Sequence, residues 1–119
     1  MVFKYNFELN KGSDHIFSIR LQDCNGGPIN LLGYRVKMQI RQGYSSGVID
    51  ELSIANERIT LSSYEEDGML DTMEFTFPKE IIDTYPIGNF LYDLKLQSSN
   101  LDVTKILEGQ VKCLASITL

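Results

Sequence analysis

The sequence predicts an all-β protein, an antiparallel β-sandwich of the immunoglobulin-like class with about eight or nine strands and one short helix. Two observations predict this class. Apolar and polar residues alternate in many segments, which is the pattern of a strand with one buried and one solvated face. Clusters of Gly, Asn, Asp and Ser separate these segments at fairly even spacing, as turns do in sandwiches and barrels rather than in βαβ units.

The clearest strand lies at 34–41, where Tyr34, Val36, Met38 and Ile40 alternate with charged or amide residues. The same alternation predicts strands elsewhere, and weaker patterns predict a few short ones. The strong segments are 3–9, 17–22, 72–77, 90–97 and 111–119, and the weaker ones are 47–52, 58–62 and 103–107.

Glycines mark the connection that enters the strand at 34–41. Gly26 and Gly27 lie between an asparagine and a proline, so they form a turn that needs positive φ. Gly33 follows two leucines and allows the bend into the strand. These three glycines are therefore predicted to have structural roles.

One segment, 78–84, is predicted to be helical. A proline opens it, an acidic residue follows, and a second proline closes it, as expected for a helix of one or two turns. Tyr92 lies early in the strand after this helix. That is the place of the tyrosine corner in immunoglobulin-like sandwiches, so Tyr92 is predicted to be a buried anchor.

Length and charge limit the function classes. The chain has 119 residues, so one domain spanning 1–119 is expected. Its 11 basic and 16 acidic residues give a net charge of −5, which argues against nucleic acid as a partner because phosphate contacts need clustered Lys and Arg. Charged residues interrupt the apolar N-terminus, so neither a signal peptide nor membrane insertion is expected, and synthesis in the cytoplasm is predicted.

Few residues could carry chemistry. His15 is the single histidine, which excludes a multi-histidine metal site and favours an exposed or capping role. Cys24 and Cys113 are far apart, so two reduced thiols are expected. The acidic segment 65–71 could hold a cation, but its spacing does not match an EF-hand loop and favours a solvated turn. No nucleophile-elbow, Walker or dinucleotide-binding motif occurs. The chain is thus predicted to be no enzyme and to need no cofactor or metal.

Binding through surfaces is the remaining function class. The outer strands of a sandwich offer unpaired backbone groups to another chain. Exposed apolar side chains also mark interfaces when they form a contiguous patch. The alternation and the predicted strand ends give four interface candidates, which are Ile16, Tyr44, Leu91 and Leu114.

Two segments together resemble a known family. The stretch 21–41, with its Asn-Gly-Gly-Pro turn and alternating basic strand, and the stretch 88–96 with 106–111 and a closing Ile117-Thr118, are similar to small virion proteins of tailed bacteriophages. They resemble in particular the N-terminal immunoglobulin-like domain of phage baseplate upper proteins. The resemblance covers most of the chain.

The resemblance implies a structural virion protein that acts as a tail, baseplate or fibre-adaptor component. Its expected location is the virion. Its expected partners are other virion proteins and copies of itself in a homo-oligomer. A capsid cement or decoration protein is one alternative. A carbohydrate- or cell-surface-binding module is another, with Tyr44, Tyr64 and Tyr85 in predicted loops as aromatic contacts.

Overall fold

The computed structural model describes residues 3–22, 25–27, 29–43, 47–65 and 68–115. Two β-sheets pack face to face and enclose one apolar core. The prediction of an immunoglobulin-like β-sandwich with one short helix is confirmed. The strands and the helix found in the described ranges are β1 Phe3–Lys4, β2 Phe7–Asn10, β3 His15–Arg20, β4 Arg35–Arg41, β5 Val48–Ser53, β6 Ile59–Ser62, β7 Thr72–Phe77, α1 Lys79–Ile82, β8 Gly88–Gln97 and β9 Val103–Leu114.

The larger sheet has six strands in the order β1-β9-β8-β4-β5, and β2 also pairs with β9. The smaller sheet has three strands in the order β3-β7-β6. All pairs are antiparallel except β1 and β2, which run parallel to β9. The predicted antiparallel sandwich therefore carries two parallel pairs at this edge, which the sequence could not indicate because residue alternation is the same in parallel and antiparallel edge strands.

The strand predicted at 3–9 is broken at residues 5 and 6, while 103–107 and 111–119 join into the single strand β9 over the described residues. Gly109 lies between the two predicted segments of β9 and next to the break in the first strand. A Cβ atom at this position would lie 2.0 Å from the carbonyl oxygen of Tyr5, so only glycine lets the backbones approach this closely. Gly109 therefore lets β9 run past the bend of the first strand without a steric clash.

Tyr92 is 4% exposed, and its hydroxyl donates a hydrogen bond of 2.5 Å to the carbonyl oxygen of Tyr5. A tyrosine corner bonds to backbone a few residues upstream, whereas this bond joins residues 87 positions apart. The expected corner is thus replaced by a link between β8 and the bend after β1. Burial, together with the nearby Tyr5, raises the pKa of Tyr92.

The predicted turn and helix lie where the sequence places them. Gly26 has φ +80° and Gly33 has φ +85°, as the turn prediction requires. Helix α1 has a single turn, within the one or two turns predicted, with Pro78 at its N-cap and the N–H of Asp83 bonded to the Lys79 carbonyl. Among the described residues no helix has the length and apolarity to cross a membrane.

Candidate binding surface

The outer face of the larger sheet carries a row of lysines. Lys37 on β4 lies directly opposite Lys95 on β8, and Lys95 lies directly opposite Lys105 on β9. Lys37 and Lys95 each lie between two buried core residues, so alternation turns them to the solvent side. Lys105 lies beyond a register shift between β8 and β9 and shares the outer face with its cross-strand partner Lys95. Like charges placed opposite each other on neighbouring strands destabilise a sheet.

Two of these lysines have acidic neighbours. The Nζ atom of Lys37 is 3.4 Å from Glu51, and that of Lys105 is 3.4 Å from Glu108 and 3.8 Å from Asp93. A hydrogen bond from Gln39, followed by the contact with Lys37, lowers the pKa of Glu51. In the described part of the chain, Lys95 has no ion-pair partner.

The outer face is basic although the chain is acidic. Among described residues it presents seven basic side chains and four acidic ones, which leaves four basic and twelve acidic residues for the rest of the sequence. The basic ones are Lys4, Arg35, Lys37, Arg41, Lys95, Lys105 and Lys112, and the acidic ones are Glu8, Glu51, Asp93 and Glu108. The sheet thus gathers cations that are scattered in the sequence, and counting charge along the chain missed this surface.

A shallow groove of about 560 Å³ crosses this face. β8 and β9 form its floor, while Lys4 and Asn6 line one side and Gln39 and Arg41 line the other. Small-molecule sites are usually enclosed and mostly apolar. The groove is instead open and lined mainly by charged and amide side chains, so it suits contact with a polar, anionic surface.

An apolar tip ends the larger sheet beside the lysine row. Arg35, Gln97 and Val103 form the last paired row of β4, β8 and β9, and the turns that follow or precede these strands carry exposed apolar side chains. The tip consists of Leu32, Tyr34, Ile54, Leu101 and Val103. Arg35, in the same row as Val103, and Lys37, Lys95 and Lys105, in the next row of the outer face, are here called the cationic band.

Leu101 is the most unusual residue of the tip. It has φ +66° and is 69% exposed in the turn between β8 and β9. The turn closes by a 2.9 Å hydrogen bond from the Leu101 N–H to the Ser98 carbonyl. Left-handed backbone costs a residue with a Cβ roughly 1–2 kcal/mol. A strained residue therefore holds an apolar side chain in water.

The structure does not bring the four interface candidates into one patch. Ile16 is 63% exposed on β3 of the smaller sheet. Leu91 and Leu114 lie on the outer face of the larger sheet and are partly buried, with Leu91 in the groove and Leu114 at the far end of β9. Tyr44 lies outside the described residues. An interface formed by these residues stays a prediction.

His15 has a local structural contact. Its Nε2 atom accepts a hydrogen bond of 3.1 Å from the Asn10 N–H, and its ring stacks on Phe17. Cys113 is a free, buried thiol whose pKa is raised by burial, while Cys24 lies outside the described residues.

The acidic segment at 65–71 is only partly described, since Glu66 and Asp67 lie outside the described residues. Asp71 is buried and accepts hydrogen bonds from the Tyr64 N–H and from Arg20 Nε, and Glu65 pairs with Arg20. In the described ranges, no three His, Cys, Asp or Glu side chains form a cluster that could hold a metal ion.

Tyr85 lies in a loop, between α1 and β8, as the sequence predicts, but it is not an exposed aromatic contact. It is buried, and its hydroxyl donates to Asp50, which also forms a two-contact ion pair with Arg58 at 2.8 and 3.0 Å. Burial opposes the charge of Arg58, but Asp50 outweighs burial and raises its pKa. Tyr64 is exposed with the Arg20 guanidinium 4.3 Å from its ring centre. Asp50, Arg58 and Tyr85 thus satisfy one another's polar groups next to the core.

No family model and no curated protein matches the chain. Among solved structures, the chain is similar to CopC from Methylosinus trichosporium OB3b, with 9% identity, a TM-score of 0.49, and coverage of 94% of this chain and 86% of that one. An identity this low concerns the fold alone.

The expected role as a phage tail, baseplate or fibre-adaptor component is not upheld: no family model or curated protein matches, and the solved structure that is similar carries the name CopC. That functional expectation is wrong, and neither capsid decoration nor a carbohydrate- or cell-surface-binding role replaces it. The sequence features behind this expectation were glycine turns and alternating strands. Any β-sandwich contains these features, so they predict the fold and not the function. The resemblance to phage proteins itself stays a prediction.

Proposed function

We propose that this chain is a non-enzymatic docking module that binds an anionic surface through the cationic band. The observation that carries the proposal is the position of Lys95, which stands between two lysines and has no acidic partner among the described residues. An anion placed over this row offsets the repulsion between the three ammonium groups. The row is therefore a surface whose electrostatic energy improves on binding.

The charge distribution supports the same function. The outer face of the larger sheet is basic while the rest of the sequence is strongly acidic. An anionic partner attracts one face and repels the others, so the module approaches it in one orientation. The strands of a rigid sheet carry the cationic side chains, which limits the entropy lost on binding.

Binding to a fluorescently labelled oligo-glutamate peptide at low ionic strength tests the proposal by fluorescence anisotropy. We expect saturable binding that weakens as salt is added. Lys95→Gln and Lys105→Gln should each weaken binding several-fold. Lys112→Gln, which changes the net charge equally but lies opposite Asn89 at the other end of the sheet, is the matched control.

Two results would contradict the proposal. The first is an absence of binding by the unaltered protein at low salt. The second is an equal loss of binding in the Lys112 control, which would show that the peptide senses only net charge. Far-UV circular dichroism of each variant confirms that the substitutions leave the sandwich folded.

A further inference from the structure

Resting on the proposed function, we propose that the anionic surface is a lipid bilayer, with the apolar tip entering its interface and the cationic band lying over the headgroups. No transmembrane segment is involved. The sequence alone argues against a membrane partner, because it contains no long apolar run. The folded chain assembles the apolar and basic elements from four separate segments.

The exposed apolar side chains of the tip come from different turns but share one end of the sheet. Leu32 and Tyr34 precede β4, and Ile54 follows β5. Leu101 lies in the turn before β9, and Val103 is the first residue of β9. Leu32 is 70% exposed, close to the value for Leu101. Removing such side chains from water favours association in proportion to the apolar area covered.

The spacing between tip and band fits a membrane interface. Lys37 follows Tyr34 by three residues on an extended strand, which places it about 10 Å behind the tip. Interfacial elements bury their apolar face about 5–10 Å into the boundary between headgroups and acyl chains. The ammonium groups of the band then stand at the level of the lipid phosphates, and the long lysine side chains can extend towards them.

The composition favours a lipid surface over a protein surface. Three of the four cations in the band are lysines, and lysine is depleted in protein interfaces whereas arginine is enriched. Four of the five tip residues are aliphatic, while protein hot spots favour Trp, Tyr and Arg. Lysines near an anionic leaflet each contribute to binding, and anionic lipids are concentrated on the cytoplasmic leaflet.

The backbone at Leu101 is unfavourable for a leucine. Its positive φ would suit glycine or asparagine, and Asn100 immediately precedes it. Two acidic residues lie in the turns of the tip: Glu57 between β5 and β6, and Asp102 between β8 and β9. Anionic lipid repels both. Binding therefore requires the apolar and basic contributions together, which makes each of them testable by substitution.

Vesicle co-flotation tests the inference, using phosphatidylcholine vesicles with and without phosphatidylserine. We expect binding only to the vesicles that contain phosphatidylserine. Leu101→Ser and Leu32→Ser should each weaken it about tenfold, and Lys95→Gln about fivefold. Ile87→Ser is the matched apolar control, because Ile87 is 64% exposed at the opposite end of β8, and Lys112→Gln is the matched basic control.

Tryptophan fluorescence gives a second readout that does not depend on loss of binding. The sequence contains no tryptophan, so Leu32→Trp introduces a single reporter at the tip and Ile87→Trp one at the opposite end. Phosphatidylserine vesicles should shift the emission of the first variant to shorter wavelength and leave the second unchanged.

The outcomes separate this inference from the proposed function. Binding to oligo-glutamate without binding to vesicles overturns the membrane partner and leaves the docking function intact. Vesicle binding that the Ile87 control weakens as much as the tip variants, or an unshifted reporter at Leu32, overturns insertion of the tip. If the protein binds neither oligo-glutamate nor the phosphatidylserine vesicles, both proposals are overturned.

Discussion

Replacing Gly109 by alanine should disrupt the joint between the first and last strands. The added Cβ would lie 2.0 Å from the Tyr5 carbonyl oxygen, 2.8 Å from its carbon and 2.9 Å from the Asn6 side-chain oxygen. Two of these three atoms belong to backbone, so a side-chain rotation cannot relieve the contact. The segment at Tyr5 and Asn6 has to move away from β9.

The magnitude follows from the hydrogen bonds that this movement breaks. They are the bond from the Tyr5 N–H to the Glu108 carbonyl, the bond from the Gln110 N–H to Asn6, and the bond from the Tyr92 hydroxyl to Tyr5. At about 0.5–1.5 kcal/mol each, their loss lowers the free energy of unfolding by roughly 2–4 kcal/mol. The packing of Phe7 and Leu9 adds to this cost if the displacement extends along β2.

Urea denaturation followed by circular dichroism measures this effect. The midpoint should fall without a change in the slope. Gly47→Ala is the matched control, because a Cβ at Gly47 meets no atom within 4 Å and its φ lies outside the left-handed region. A loss at Gly109 below about 0.5 kcal/mol, within the usual range of surface substitutions, would refute the reasoning about the close approach.

Three further predictions concern charge and backbone. Lys95→Glu should replace two like-charge cross-strand pairs by attractive ones, so the free energy of unfolding measured in urea should rise by about 0.5–1 kcal/mol. The same variant should no longer bind anions. A less stable variant would contradict the role of the lysine row. Leu101→Gly should relieve left-handed strain at the cost of chain entropy, for a net gain of about 0.5–1 kcal/mol by thermal denaturation, and a net loss would show that the leucine packs in the folded state. The Tyr64 N–H, with help from Arg20, holds the pKa of Asp71 below its usual range. Asp71 therefore stabilises the fold above its unfolded pKa of about 4, and this contribution is lost as the pH falls. Asp71→Asn should flatten the acid limb of a plot of unfolding free energy against pH, and an unchanged limb would remove Asp71 as its cause.

The sequence predicts most of the sandwich because its signals are local. Alternation in β4, β7 and β8 depends only on which side chains enter the core, and positive φ at Gly26 and Gly33 depends only on neighbouring residues. The parallel pairing of β1 with β9 is not local. It joins Phe3 to Leu107, and nothing in either segment specifies the partner.

The candidate binding surface could not be predicted for the same reason. Lys37, Lys95 and Lys105 become neighbours only through the register of three strands, and that register shifts between Leu94 and Lys95. Alternation did place Leu91 and Leu114 on the face opposite the core. It could not show that the cations gather on that same face, because the whole chain has a net negative charge while this one face has a net positive charge.

The pairing of the first strand with the last also sets the order of assembly during synthesis. The small sheet and the hairpin of β8 and β9 can form from segments close in the chain, but β1 and β2 find their partner only after β9 has been made. Contacts between such distant segments form slowly. The N-terminal segment, with Phe7 and Leu9 in the final core, thus stays apolar and unpaired until β9 has been synthesised, and a nascent-chain chaperone could bind it during that interval.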